Sequence, residues 1–103
     1  MVIVIATVQC QPGHRKDFLR EFRQIVPAVL AEEGCIEYGP TVDASTDLEN
    51  QNLDDNRVTI VEKWESLETL KAHLVAPHML EYRPKVKDFV AVAELRVLEC
   101  AGG

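Results

Sequence analysis

Two histidines, His73 and His78, bracket Pro77 in the second half of the chain. A neutral imidazole can take a proton from a weakly acidic hydroxyl, and a positioned base contributes about 10²–10⁴-fold to a rate. His78 follows a proline that reads as the first residue of a short helix, and a helix N-terminus favours the neutral base form of a nearby imidazole. The HxxxxH spacing crosses that proline and no third ligand stands out beside it, so a metal centre is not expected. Capping or packing is the plainer role for either ring. Met79 and Tyr82 share one helix face beside the histidines and read as core or as pocket wall. Trp64 and Glu62 alternate along one strand with Ile60. Trp64 is either a core or interface aromatic or the wall of a pocket for a flat ring, against which its π-face stacks. Glu62 is the odd member of an apolar strand, and a buried carboxylate is costly unless paired. It is expected to pair with a Lys, Arg or His, or to face a pocket.

The elements that must position these groups follow from periodicity. Residues 2–10 alternate between Val2, Val4, Ala6, Val8 and Ile3, Ile5, Thr7, Gln9, which marks a strand. After the Pro12-Gly13 turn the period changes, and Phe18, Phe22, Ile25 and Val29 mark an amphipathic helix over 14–33. Pro27 should kink it and Gly34 should stop it. A second strand with Ile36, Tyr38 and Val42 is interrupted by Gly39-Pro40, which predicts an edge or a bulge. Residues 44–56 are polar and turn-rich, an exposed, mobile loop. Strand three runs 58–64. Ser66 is the N-cap of a helix carrying Leu67, Leu70 and Leu74, with His73 at the border of that stripe and Glu68 in the first turn. Pro77 ends this helix, and Phe89 to Cys100 form the last strand.

The order is β-α-β-β-α-β, which with right-handed crossovers makes an α+β, ferredoxin-like sandwich. Helices cover one sheet face. Strand one is apolar on both faces, and so largely are strand three and the last strand, where Phe89, Ala91 and Ala93 oppose Val90 and Val92. A two-layer monomer would leave a large apolar patch in water, so a homodimer with sheets packed face to face is expected.

At 103 residues a single domain over 1–103 is expected. The formal net charge of −6 and the lack of a basic run argue against nucleic acid and against anionic membrane surfaces. Cys10, Cys35 and Cys100 show no CxxC or Cys/His spacing, which predicts reduced thiols and a cytoplasmic setting. The apolar N-terminus lacks a charged leader, and no run is long enough to span a membrane. With no GxGxxG, P-loop, GxSxG or metal-ligand cluster, no cofactor is expected.

Several segments together resemble the antibiotic biosynthesis monooxygenase (ABM) domain family. They are Glu33-Gly34-Cys35 leading to Tyr38, Glu62-Lys63-Trp64-Glu65, Ala72-His73-Leu74 and Pro77-His78. The longer stretches IVPAVLAEEGCIEYGPTVD, WESLETLKAHLVAPHM and ELRVLE resemble its quinol-oxidising members, in order, along essentially the whole chain. The resemblance implies a dimeric α+β barrel with a pocket between sheet and helices in each subunit. It implies oxidation of a quinol or related electron-rich aromatic by O₂ without metal or flavin. Matched to the motifs, Tyr38, Glu62, Trp64, His73, His78, Met79 and Tyr82 are its pocket residues, with His73 or His78 as base and Trp64, Met79 and Tyr82 as walls. Another relative isomerises a phosphorylated autoinducer and shares the histidine–proline–histidine stretch; Arg83, Lys85 and Lys87 would anchor the phosphate in that reading. A third reading is a non-enzymatic dimer that binds small apolar ligands.

Overall fold

The computed structural model describes residues 1–102. Strand β1 (Val2–Cys10) leads into helix α1 (Arg15–Leu30), then β2 (Cys35–Thr41) and β3 (Arg57–Trp64). Two short helices follow, α2 (Leu67–Leu74) and α3 (Pro77–Val86), then a single 3₁₀ turn at Lys87–Phe89 and β4 (Val90–Leu98). The α+β class and the expected order hold, with the second crossover divided into two helices. The four strands are antiparallel in the order β2-β3-β1-β4. No described helix is long and apolar enough to cross a membrane. Cys10, Cys35 and Cys100 are free thiols.

Helix α1 buries Phe18, Leu19, Phe22 and Val29 against the sheet and runs through Pro27, which sits in its last turn and does not end it. Ile25, on the expected stripe, is half-buried. At the start of α2 the Ser66 hydroxyl accepts from the Thr69 N–H, and the Thr69 hydroxyl accepts from the Ser66 N–H, each at 3.2 Å. Such reciprocal capping satisfies donors that the first turn would otherwise leave bare. Pro77 is the first residue of α3, where its missing N–H costs nothing. Along α2 the buried pair is Leu70 and His73, while Leu67 is exposed. His73 is therefore fully inside, not at the border where the leucine stripe places it.

Gly39-Pro40 lies on an edge strand, one of the two outcomes expected there, and two other features differ from expectation. Pro40 lies in regular register on the edge strand β2, and the irregularity falls between Cys35 and Glu37. An edge strand tolerates the proline because its missing N–H would have faced solvent. In β4 the register against β1 shifts between Val92, opposite Gln9, and Val90, opposite Cys10. This bulge sends Val90 and Val92 to opposite faces. The 44–56 loop is tied at its root: Arg57 Nε donates to Asp43 Oδ2 at 3.0 Å, and the Asp54 N–H reaches the same oxygen at 3.0 Å.

The helices cover β2, β3 and β1, and β4 extends beyond them. On the helix side of β4 Leu95 is 48% exposed and Val97 44%, while Val92, 64% exposed, lies on the other face. The opposite face of the sheet is mixed. Ile3, Ile5, Val61 and Leu98 are half-buried there, and Arg57, Thr59, Lys63, Glu94 and Arg96 share it by register.

Candidate active site

Between the helix layer and the inner sheet face lies a cavity of about 290 Å³. Tyr38 from β2, Glu62 from β3, His73 from α2, and Met79 and Tyr82 from α3 all line it. The remaining two expected residues do not. Trp64 is fully buried behind the wall, its ring centroid 4.7 Å from that of His73. His78 lines a different pocket, between α1 and α3, with Glu21, Glu81 and Lys85. Trp64 thus backs the site where stacking on a ligand had been expected, and His78 is turned away from the cavity.

Sequence reading missed two kinds of lining residue. Phe18 and Phe22 reach the cavity from α1 and join Tyr38 and Tyr82 in a chain of aromatic contacts. Phe22 stacks on Tyr38 at 5.4 Å and meets Tyr82 edge-on at 6.0 Å. Their periodicity marked them as core, which they also are. Ala93 and Leu95 reach the cavity from β4, and half-exposed Leu95 places the mouth at that open edge.

Glu32 is the larger omission. Its Oε2 lies 2.8 Å from His73 Nδ1 and 2.8 Å from His78 Nε2. The histidines therefore do have a third partner, although it lies on a turn far upstream. Ligand atoms about 2.1 Å from a tetrahedral ion stand roughly 3.4 Å apart. The observed spacing is that of hydrogen bonds, with one carboxylate oxygen accepting from two rings. Gly34 explains how Glu32 arrives there. Its φ is +82°, and a Cβ built on it would lie 2.5 Å from Thr69 Cγ2. The turn after α1 can therefore press against the first turn of α2, and Gly34 O accepts from the Glu65 N–H at 2.8 Å. His73 lies one helical turn beyond Thr69, which puts it within reach of Glu32.

Glu62 has no cationic partner, contrary to the expected pairing. Its Oε1 accepts from the Trp64 indole N–H at 2.9 Å. Burial pushes its carboxyl towards the neutral acid, partly offset by the indole bond and reinforced by the charge of Glu32. Burial likewise lowers the affinity of His73 for a proton, opposed by the Glu32 hydrogen bond. Tyr38 and Tyr82 are raised by burial and stay phenols. Every buried side-chain nitrogen and oxygen among the described residues has a hydrogen-bond partner. His73 Nε2 and Glu62 Oε2 have no protein partner, so both are open to the cavity their residues line. A largely apolar chamber, whose lining also includes Tyr38, Tyr82 and Arg83, thus presents one unprotonated ring nitrogen and one acid directed to the neutral form.

The three cations considered as a phosphate anchor do not all meet at one place. Arg83 and Lys87 line one groove with Leu80 and Pro84, and Arg83 also lines the aromatic cavity while it donates to the Leu74 carbonyl at 2.6 Å. Lys85 lines the pocket of His78 beside two glutamates.

Residues 1–85 match the family model described as antibiotic biosynthesis monooxygenase. The chain is 41% identical over 101 residues to YgiN of Escherichia coli K12, described as a probable quinol monooxygenase, covering 96% of this chain and 97% of that protein. PA3566 from Pseudomonas aeruginosa has a similar fold, with a TM-score of 0.82 at 24% identity, covering 98% of this chain and 94% of that one. Rv0793 from Mycobacterium tuberculosis gives 0.81 at 24% identity, over 99% and 96%.

Proposed function

The chain belongs to the antibiotic biosynthesis monooxygenase family, and on that premise we propose that it oxidises a small quinol, or a related electron-rich phenol, with O₂ and without a cofactor. The observation that carries this reading is the open Nε2 of His73 in an apolar, aromatic-lined cavity. A quinolate gives up an electron far more readily than the quinol does, so the essential protein task is to remove one hydroxyl proton out of bulk water. His73 Nε2 is the base for that step. Glu62, favoured as the neutral acid, can donate a hydrogen bond to a ring oxygen, and Tyr38, Met79 and Tyr82 wall the ring. A volume of about 290 Å³ suits one or two fused rings. The reaction balances in two ways. Quinol and O₂ give quinone and H₂O₂, or, where a ring carbon takes one oxygen atom, a hydroxyquinone and water.

Menadiol prepared without oxygen and mixed into aerated buffer should be oxidised well above a protein-free blank, followed by quinone absorbance. His73→Ala should lower kcat by about 10²-fold or more. The wild-type rate should rise with pH through a value below the ordinary histidine pKa of about 6.5, because burial disfavours the imidazolium. A wild-type rate equal to the blank would leave a ligand-binding dimer as the alternative.

The homodimer belongs to the same reading. Val92 on β4, with Ile3, Ile5 and Val61, forms apolar area on the outer sheet face that a second copy would cover, and exposed Leu95 and Val97 lie on the helix side of β4 at that edge. Light scattering at micromolar concentration should return twice the chain mass; a stable monomer would refute the pairing.

A further inference from the structure

We infer that Glu32 is the positioning residue of this site: by accepting hydrogen bonds from both histidines on one oxygen, it assigns His73 as the base that meets substrate and His78 as a support that does not. The inference rests on the proposed quinol oxidation for its kinetic consequences, although the tautomer it specifies exists without substrate.

The assignment follows from where each nitrogen points. His73 Nδ1 is 2.8 Å from Glu32 Oε2. A carboxylate oxygen accepts and cannot donate, so that nitrogen carries the proton of the neutral ring. Nε2 is then the lone pair, and it opens into the cavity. His78 meets the same oxygen through its Nε2, again at 2.8 Å, which makes it the Nε2–H tautomer. Its ring lines the other pocket, between α1 and α3, and is absent from the cavity wall. Side-chain exposure is graded in the same direction, 2% for His73, 14% for Glu32 and 27% for His78.

When a substrate O–H breaks and its proton arrives on His73 Nε2, the ring becomes an imidazolium in a nearly dry wall. The carboxylate on its opposite nitrogen is the charge that stabilises it, as an aspartate does behind the histidine of a serine-protease triad. The groups that surround His73 are Glu32 on the α1–β2 turn, Tyr38 on β2, Glu62 and Trp64 on β3, and His78 and Arg83 on α3. Tyr38 and Trp64 are neutral, Glu62 is directed to its acid form, and Arg83 opposes a second positive charge. Glu32 is the anion in direct contact. His78 holds the Glu32 carboxylate from the solvent side, so that its oxygen stays aimed at His73.

Nitrogen-15 NMR of the substrate-free protein tests the geometry directly. His73 should show a pyridine-type Nε2 and a protonated Nδ1, and His78 a protonated Nε2. The kinetic arm uses menadiol oxidation by Glu32→Gln, which keeps shape and removes charge. Its kcat should fall at least ten-fold with KM within about two-fold, and its acid limb should move to lower pH, since the anion that aids protonation of His73 is gone. A structural role alone would leave that limb in place. His78→Gln should cost a few-fold in kcat and keep the limb. The inference is overturned if His73 is the Nε2–H tautomer, if Glu32→Gln keeps the wild-type kcat and pH profile, or if His78→Gln abolishes the limb while His73→Gln does not. Failure of the wild type to oxidise menadiol, with the expected tautomers present, would instead remove the quinol reading and leave the bridge intact.

Discussion

Two carboxylates flank the His73–Trp64 ring pair and show how little residue type says about charge. Glu32 sits on a turn at the edge of the helix layer, where it keeps some contact with water and accepts from two imidazole nitrogens. Glu62 sits mid-strand, 5% exposed, and accepts from a single indole N–H. At Glu62, burial with one neutral donor favours the acid. The same side chain therefore suits two jobs: an anion behind a base at Glu32, and a hydrogen-bond donor across the chamber at Glu62.

The comparison breaks most completely at Gly34. Gly34→Ala must hold a side chain at a φ of +82° with its Cβ 2.5 Å from Thr69 Cγ2, so the turn and α2 must part. Strain of this kind costs about 1–3 kcal/mol, and the overlap adds to it. Urea titration should show that loss. The survivors should have a weakened Glu32 bridge while the Glu62–Trp64 bond is untouched. A variant as stable as wild type would mean the turn is not held against α2.

Trp64→Phe attacks the other side. It keeps most of the buried ring and deletes the donor to Glu62 Oε1, leaving a buried acceptor unpaired at a cost of about 1–3 kcal/mol. Because Trp64 does not line the cavity, its effect on KM should be small beside its effect on stability. A large KM effect with unchanged stability would return the indole to the cavity wall.

The smallest effect is the most diagnostic. Glu62 is raised in the fold, so its contribution to stability is fully present below the unfolded carboxyl pKa of about 4.3 and is lost as pH rises through the raised value. Glu62→Gln cannot ionise. Its stability relative to wild type should therefore improve as pH rises from the unfolded carboxyl range towards neutrality. His73 runs the opposite way: lowered in the fold, it contributes above about 6.5 and is lost as pH falls through its lowered value. That limb should persist in the Glu62→Gln protein. Parallel stability curves for wild type and variant would mean Glu62 is not held towards the acid.

Elements governed by neighbours in the chain were legible. The alternation of β1, the Phe18/Phe22/Val29 stripe of α1, the Ser66 cap and the Pro77 start all rest on contacts within a few residues. The buried parity of β3 was legible for the same reason, and it placed Glu62 and Trp64 on the inner face. The bulge that separates Val90 from Val92 was not, since a one-residue slip leaves composition unchanged and is settled by pairing with β1.

Among the candidate residues, sequence determined which could do proton chemistry, and tertiary structure decided which does what. Two histidines five positions apart are equivalent by type. They became different when α2 and α3 turned one towards the cavity and the other towards solvent. Glu32, 41 residues from His73, has no local signal that distinguishes it from Glu33 beside it. What selects it is a glycine-permitted approach of two backbones, and that contact forms only when the turn and helix dock. Periodicity and capping are local energies that a sequence displays directly. The reach of a side chain across a docked interface is a consequence of packing, and packing is a property of the folded chain.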